Sequence, residues 1–352
     1  MPSVGKPVPH DAALGHVTGQ APYIDDIRPV AGELIVGFVG SPIAAGELVS
    51  VDTSAASAVP GVVGCYTVAD VPGHNLFGVV VFDEPFLADR ELLYVGQPVV
   101  VVAAESAAAL EKACKAVRIE YCEKEPLLDL EESIRQKKFL GPLRRIARGD
   151  VDGALASAAH RLSGSFTSGG QEQFYLESQA AIAYPGEQGQ IIVHSSTQNP
   201  TEIQALVAEM LGVGQHEVVC ICKRMGGAFG GKESQAAIPA MMAALVARKT
   251  GRSARVIYNK DDDMCVTGKR HPYHSRWEVG FDDDGRISDG LMVGSKLAYG
   301  RTSAGTINQS QSRPRLIRGR PCGIAPRSPE FLRGSLTARP SAPRLDEATT
   351  AP

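Results

Sequence analysis

Four of six consecutive positions are glycine in Arg224-Met225-Gly226-Gly227-Ala228-Phe229-Gly230-Gly231-Lys232-Glu233. A segment so poor in Cβ atoms can take backbone angles closed to other residues and lets neighbouring chain approach closely. The β-rich run Val218-Val219-Cys220-Ile221-Cys222 precedes it, and an apolar run of helical character, Ser234 to Thr250, follows. Strand, glycine turn and helix start, in that order, aim backbone N–H groups and a helix dipole at an anionic group. The residues around the loop must say which anion.

A chain of 352 residues has room for two or three domains. With 43% hydrophobic and 21% charged residues it reads as soluble and globular. The net charge of −3 gives no bulk attraction to nucleic acid or to an anionic membrane. No apolar run reaches the roughly 18 residues of a membrane span, and Met1–His10 has neither a basic nor an apolar leader region. A reducing cytoplasm is the expected setting. The seven cysteines have no regular spacing, and Cys220 and Cys222, on one face of a strand, are read as core packing.

Residues 1–10 read as an N-terminal arm and 11–122 as a first α+β unit. Strand-like runs lie at Leu34–Val39 and Tyr94–Val102, and a helix from Ser106 to Ala116, capped by Ser106, feeds a strand at Val117–Tyr121. Residues 123–148, charged and irregular, read as a surface linker. A second unit, 149–300, opens with a short helix from Asp152 to His160. Strands follow at Arg161–Thr167, Ala180–Tyr184 and Gln190–Ser195, then a helix from Thr201 to Leu211 with Thr201 and Gln204 at capping-box spacing. Beyond the glycine loop, Arg255–Tyr258 and Trp277–Phe281 read as strands. Asp282-Asp283-Asp284-Gly285 reads as a hairpin turn, since a calcium loop would need a distal glutamate. The fold class is α+β.

Residues 301–352 carry nine Arg, seven Pro, one aromatic and no Lys. No helix or strand period runs through them, so a disordered stretch is expected. Their composition also suggests a GC-rich gene read out of frame after codon 300, which re-sequencing across codons 295–305 would test.

Three ligands compete for the glycine loop. Gly226-x4-Gly231-Lys232 has P-loop spacing, but the next residue is Glu233, an anion where a Mg²⁺-binding hydroxyl belongs. A dinucleotide fingerprint fails because its glycines are out of register and no acidic residue ends a strand about 20 residues later. The third reading brings backbone N–H groups to a compact oxo-anion, with Phe229 as an apolar wall and Glu233 sending a carboxyl from the helix start into the same cavity. A tight glycine turn with a capping glutamate and no ligand fits the loop equally well. Ser195-Ser196-Thr197-Gln198-Asn199-Pro200 favours the ligand, because it too lies at a strand end opening on a helix. Two strand-end loops over one crevice are where open α/β layers bind ligands. Gln198 alone would also serve as a loop-fixing amide.

Four stretches carry a resemblance in order and spacing: Gly169-Gly170-Gln171-Glu172-Gln173-Phe174-Tyr175-Leu176-Glu177, Ser196-Thr197-Gln198-Asn199, the glycine loop with Lys232-Glu233, and Thr267-Gly268-Lys269-Arg270-His271-Pro272. They resemble the molybdopterin-binding subunit of the xanthine dehydrogenase and aldehyde oxidase family of molybdenum hydroxylases. Val17 to Asp26 is similar to the start of that family's hammerhead domain. The likeness runs from about Asp11 to Tyr299. It implies a hammerhead-type α/β domain over 11–122, followed by an incomplete molybdopterin-binding α+β domain over 149–300.

The resemblance also implies a chemistry. Molybdenum held by a pterin dithiolene would oxidise a purine such as xanthine or hypoxanthine, with water as oxygen source. Electrons would pass through 2Fe-2S clusters to FAD and NAD on partner subunits or domains. Gln198 would hydrogen-bond an oxygen on the metal, Phe229 and Gly230 would pack against its outer ligands, and Glu233 would contact the substrate. The family's general base, a glutamate, and most of its pterin contacts have no counterpart here, so the chain is expected to be truncated and inactive alone. An aldehyde-oxidising relative and a non-catalytic assembly fragment remain alternatives.

Overall fold

The computed structural model describes residues 4–78, 82–138 and 149–296, with side chains described as far as residue 287. Residues 139–148 of the expected linker and the stretch 301–352 lie outside these. One compact unit combines the chain up to Lys138 with Gly169–Pro272; another holds the strands His160–Ser168, Tyr273–Phe281 and Ile287–Lys296.

The first unit is built on a seven-stranded sheet. Its strands are β1 (Leu34–Gly40), β2 (Val62–Tyr66), β3 (Pro98–Ala104), β4 (Ala180–Pro185), β5 (Ile191–Ser195), β6 (Val218–Ile221) and β7 (Ala254–Ile257). They lie in the order β6-β5-β4-β7-β1-β3-β2. The two stretches that the sequence separates therefore share one sheet: β1 pairs in parallel with β7, Leu34 opposite Ala254.

Strand β3 shows why its sequence is apolar throughout. Val101 and Ala103 face one core and Val100 and Val102 another, so all seven residues are buried. The helix α1 (Ala107–Ala116) covers the second core through Ala113 and Leu110, and Ser106 Oγ caps it by accepting the Ala109 N–H at 3.2 Å, as its sequence predicts. The first core is filled by α2 (Pro200–Leu211) and α3 (Ala237–Thr250). Every residue of α3 from Ala237 to Ala247 is buried. Ile238, Met241, Met242 and Leu245 each contribute about 1.5–3 kcal/mol by leaving water, while alanines between them admit close neighbours. Gly251, with φ +67°, ends the helix.

Several boundaries differ from the sequence reading. β3 starts at Pro98 because Tyr94–Gln97 forms a turn: Gln97 N–H donates to Tyr94 O at 3.2 Å, and Gly96 takes φ +86°. Within the expected linker, Leu130–Arg135 forms a helix, since Asp129 accepts the Glu132 N–H at 2.6 Å. α2 is capped by Asn199 and Glu202, not by Thr201 and Gln204; the Gln204 amide donates to Val218 O at 2.8 Å instead. The last difference bears on the site: α3 begins at Ala237, so Glu233 precedes it and does not occupy its first turn.

In the second unit the strand Tyr273–Phe281 lies between His160–Ser168 and Ile287–Lys296, all antiparallel. His160, expected at a helix end, opens a strand; the helix is Val151–Ser157 with Asp150 as cap. Gly285 N–H donates to Asp282 O at 2.9 Å with φ +74°, the hairpin turn expected from the aspartate run.

Candidate functional site

β5 and β6 are parallel neighbours, His194 opposite Ile221. Their C-terminal ends therefore reach the same sheet edge, and residues 196–199 and 222–236 leave it side by side. The two loops then bond to each other. Gln198 N–H donates to Lys232 O at 2.9 Å, and Thr197 Oγ1 donates to the same oxygen at 3.1 Å. Cys222 Sγ reaches back to Thr197 O at 3.2 Å.

The Gln198 side chain closes this junction. Its Oε1 accepts the backbone N–H of Gly230 at 3.1 Å and of Lys232 at 3.4 Å. These two donors fix the amide's orientation, because only its oxygen can accept. Gln198 is exposed, and among the described residues nothing accepts from its Nε2. The amide thus fastens the loop with one end and presents two donor hydrogens with the other. Of the two roles weighed for it from sequence, the loop-fixing one is visible in these bonds.

Ala228 to Gly231 forms a tight turn, with Gly231 N–H donating to Ala228 O at 2.7 Å. Phe229 has φ +53° and Gly230 φ +90°. Phenylalanine in that region costs about 1–3 kcal/mol and persists only where its surroundings impose it. The residue is 77% exposed, so burial in this unit does not offset the strain. A Cβ added to Gly230 would meet nothing within 4 Å, whereas one added to Gly231 would lie 2.7 Å from the Tyr175 ring. The outer side of the turn is open and the inner side is tightly filled.

Lys232 turns inward and is fully buried. Its Nζ donates to Ser196 Oγ at 2.8 Å and to Glu177 at 3.2 Å, and sits 4.7 Å from the centre of the Tyr175 ring. Burial lowers its pKa, with the Glu177 charge opposing. A lysine spent in this way cannot reach a phosphate, a further mark against the P-loop. Glu233, next in sequence, is exposed. Its negative charge lies close enough to Glu202 to add to the effect of burial in raising that carboxyl's pKa.

The structure thus brings Gln198, Phe229 and Gly230 together and leaves Glu233 exposed, within electrostatic range of Glu202. The support beneath them was not assigned from sequence. Tyr175 Oη donates to the buried Asp263 at 2.6 Å and accepts from Gln179 Nε2 at 3.1 Å, while the same Nε2 also donates to Gly231 O at 2.8 Å. Lys260 reaches Tyr175 O at 2.7 Å. A lysine inside a glycine run, with a glutamate near in space but distant in sequence, gives no local periodic signal.

Two family models match. Residues 18–125 match the aldehyde oxidase and xanthine dehydrogenase a/b hammerhead domain, and residues 133–299 match the molybdopterin cofactor-binding domain. The chain belongs to the xanthine dehydrogenase and aldehyde oxidase family. It is 43% identical over 283 residues to the xanthine dehydrogenase of Blastobotrys adeninivorans, covering 79% of this chain and 20% of that protein. Aldehyde oxidase 1 of Oryctolagus cuniculus is also 43% identical, over 286 residues, covering 81% and 21%. Among solved structures, quinoline 2-oxidoreductase from Pseudomonas putida 86 superimposes with a TM-score of 0.73 at 26% identity, covering 84% of this chain and 39% of that one. The chain spans about a fifth of the length of the curated relatives it matches. The hammerhead and α+β cofactor-binding assignments made from sequence stand.

The residues present fit a molybdenum–pterin group on one side. An oxygen-bearing centre needs a hydrogen-bond donor, and Gln198 has its donor end to spare. It needs room at the loop, and the open Cβ direction of Gly230 gives it.

Proposed function

We propose that this chain forms one wall of a molybdenum site that oxidises a purine of the xanthine or hypoxanthine type, with water as oxygen source. The unused Nε2 of Gln198 carries the reading: the loop geometry commits its oxygen to Gly230 and Lys232 and leaves a donor for a ligand oxygen. When bound, the molybdenum–pterin group would supply the two-electron redox chemistry. Electrons would leave through 2Fe-2S and FAD partners to NAD, as the likeness to xanthine dehydrogenases suggests. The cysteines with a described environment are all free thiols, which suits a reducing cytoplasm.

In this reading each residue has a separate task. Gln198 orients the oxygen-bearing face of the group. Phe229 excludes water from one side, which strengthens hydrogen bonds made there. Glu233 reaches the substrate with a carboxylate able to accept from a ring N–H and to stabilise charge developing on the ring. Aldehyde oxidation is the second reading, favoured by the equal 43% identity to an aldehyde oxidase.

Glu233→Ala, in the protein assembled with its iron–sulfur and flavin partners, tests the substrate assignment. Purine turnover should fall well below wild type while molybdenum content stays close to it. Unchanged purine turnover would refute the role of Glu233, and retained purine inactivity with strong aldehyde turnover in wild type would favour the second reading.

A further inference from the structure

Glu177 lies between strands, yet four donors from three distant segments converge on its carboxylate. Oε2 accepts Gly226 N–H at 2.8 Å, Ser196 Oγ at 2.7 Å and Lys232 Nζ at 3.2 Å. Oε1 accepts the Ile24 N–H at 3.4 Å. The link to Gly226 runs both ways, since Glu177 N–H donates to Gly226 O at 3.2 Å. A Cβ at Gly226 would lie 2.6 Å from the Glu177 Cβ, so this contact requires glycine.

These links enclose the candidate site from below. Ser196 is two residues from Gln198, on the loop whose amide N–H is already held by Lys232 O. Gly226 begins the glycine run and Lys232 ends it. One carboxylate therefore holds the entry and exit of the glycine loop and the base of the Gln198 loop. Ile24 brings in the segment before β1, which Arg255 fastens separately through Ile24 O at 3.2 Å and Ile27 O at 2.7 Å.

We propose that Glu177 is the positioning residue of this site, setting the Gln198 amide against Gly230 by fixing both loops at once. What those loops face rests on the molybdenum reading; the anchoring does not. A buried ion pair of purely structural value can be exchanged for neutral groups with little loss of stability. A positioning carboxylate cannot, because its charge strengthens all of these bonds and a neutral amide replaces one of its two acceptor oxygens by a donor.

That difference supplies the test, on the 352-residue chain. Glu177→Gln should lose thermal stability, since it leaves the Lys232 ammonium buried without a counter-charge. Glu177→Gln with Lys232→Met should regain most of that stability. Yet the Gly230 and Lys232 amides, which donate to Gln198 Oε1, should exchange with solvent about tenfold faster than in wild type. Ser196→Ala, a milder change that strands no charge, should speed the same amides by a smaller factor. If no Glu177 variant folds, Ser196→Ala decides. Wild-type exchange at Gly230 in the folded double variant, or in folded Ser196→Ala, would overturn the proposal. Molybdenum content measured on the same proteins separates the two ideas: faster exchange with undiminished metal keeps Glu177 as the anchor and removes the reading of what the loops face.

Discussion

The side-chain oxygen of Gln198 accepts the backbone N–H of Gly230 at 3.1 Å, joining loops 32 residues apart. This bond joins two strand-end loops into one surface. It also decides the polarity of that surface, because it uses up the oxygen of the amide and leaves the nitrogen.

Strain at Phe229 predicts a separation of stability from function. Phe229→Gly removes a positive-φ penalty and loses little burial, since the residue is 77% exposed. The folded chain should be as stable as wild type or more so, by about 0.5–1 kcal/mol. Molybdenum retention should nevertheless fall with the loss of the apolar wall. Denaturant unfolding and metal analysis of one preparation check both; a clear loss of stability would show that the ring is packed in the working protein.

Adjacent glycines should respond for different reasons. Gly230→Ala meets open space and costs only the strain of φ +90°, about 1–2 kcal/mol. Gly231→Ala drives a Cβ to 2.7 Å from the Tyr175 ring and 3.1 Å from Ala228 O. It should cost more, about 2–3 kcal/mol, by overpacking. Tyr175→Ala should relieve much of the Gly231→Ala defect in a double variant and none of the Gly230→Ala defect, which thermal melts can resolve.

Glu84 makes stability depend on pH. The residue is 8% exposed, the Gln235 amide bonds to its carboxyl, and its Oε1 has no hydrogen-bond partner among the described residues. Burial pushes its pKa from 4.5 to about 8, with Gln235 pulling the other way. The folded state therefore holds a proton that the unfolded chain releases. Its contribution is fully present below about pH 4.5 and is lost as pH rises through about 8, with a ceiling of about 5 kcal/mol. Glu84→Gln should flatten this decline, so that its melting temperature exceeds wild type by a margin that widens up to pH 8. Parallel pH profiles for the two proteins would contradict it.

Much of this architecture could be read from residue pattern. The unbroken apolar run of β3 and the cap at Ser106 act locally, so their signals are local. The pairing of the two strand-end loops was also legible, because β5 and β6 each run into a helix and parallel neighbours open at the same edge. The start of α3 was not, since Ser234 to Ala236 have helix-compatible composition but are held as turns by contacts elsewhere. Nor was Glu177 or the inward turn of Lys232. Their roles depend on Ile24, Ser196 and Gly226, which only the folded chain brings within hydrogen-bond reach.

Metal analysis of protein purified from a host that makes the molybdenum–pterin group, with wild type beside Gln198→Ala, tests the central claim most directly. The substitution removes the presented donor, worth about 1 kcal/mol, together with the two bonds that hold Gly230 and Lys232, so molybdenum retention should fall at least about fivefold, while circular dichroism shows the fold intact. Equal molybdenum in the two proteins, or none in wild type, would contradict the claim that Gln198 presents its free donor to a molybdenum centre.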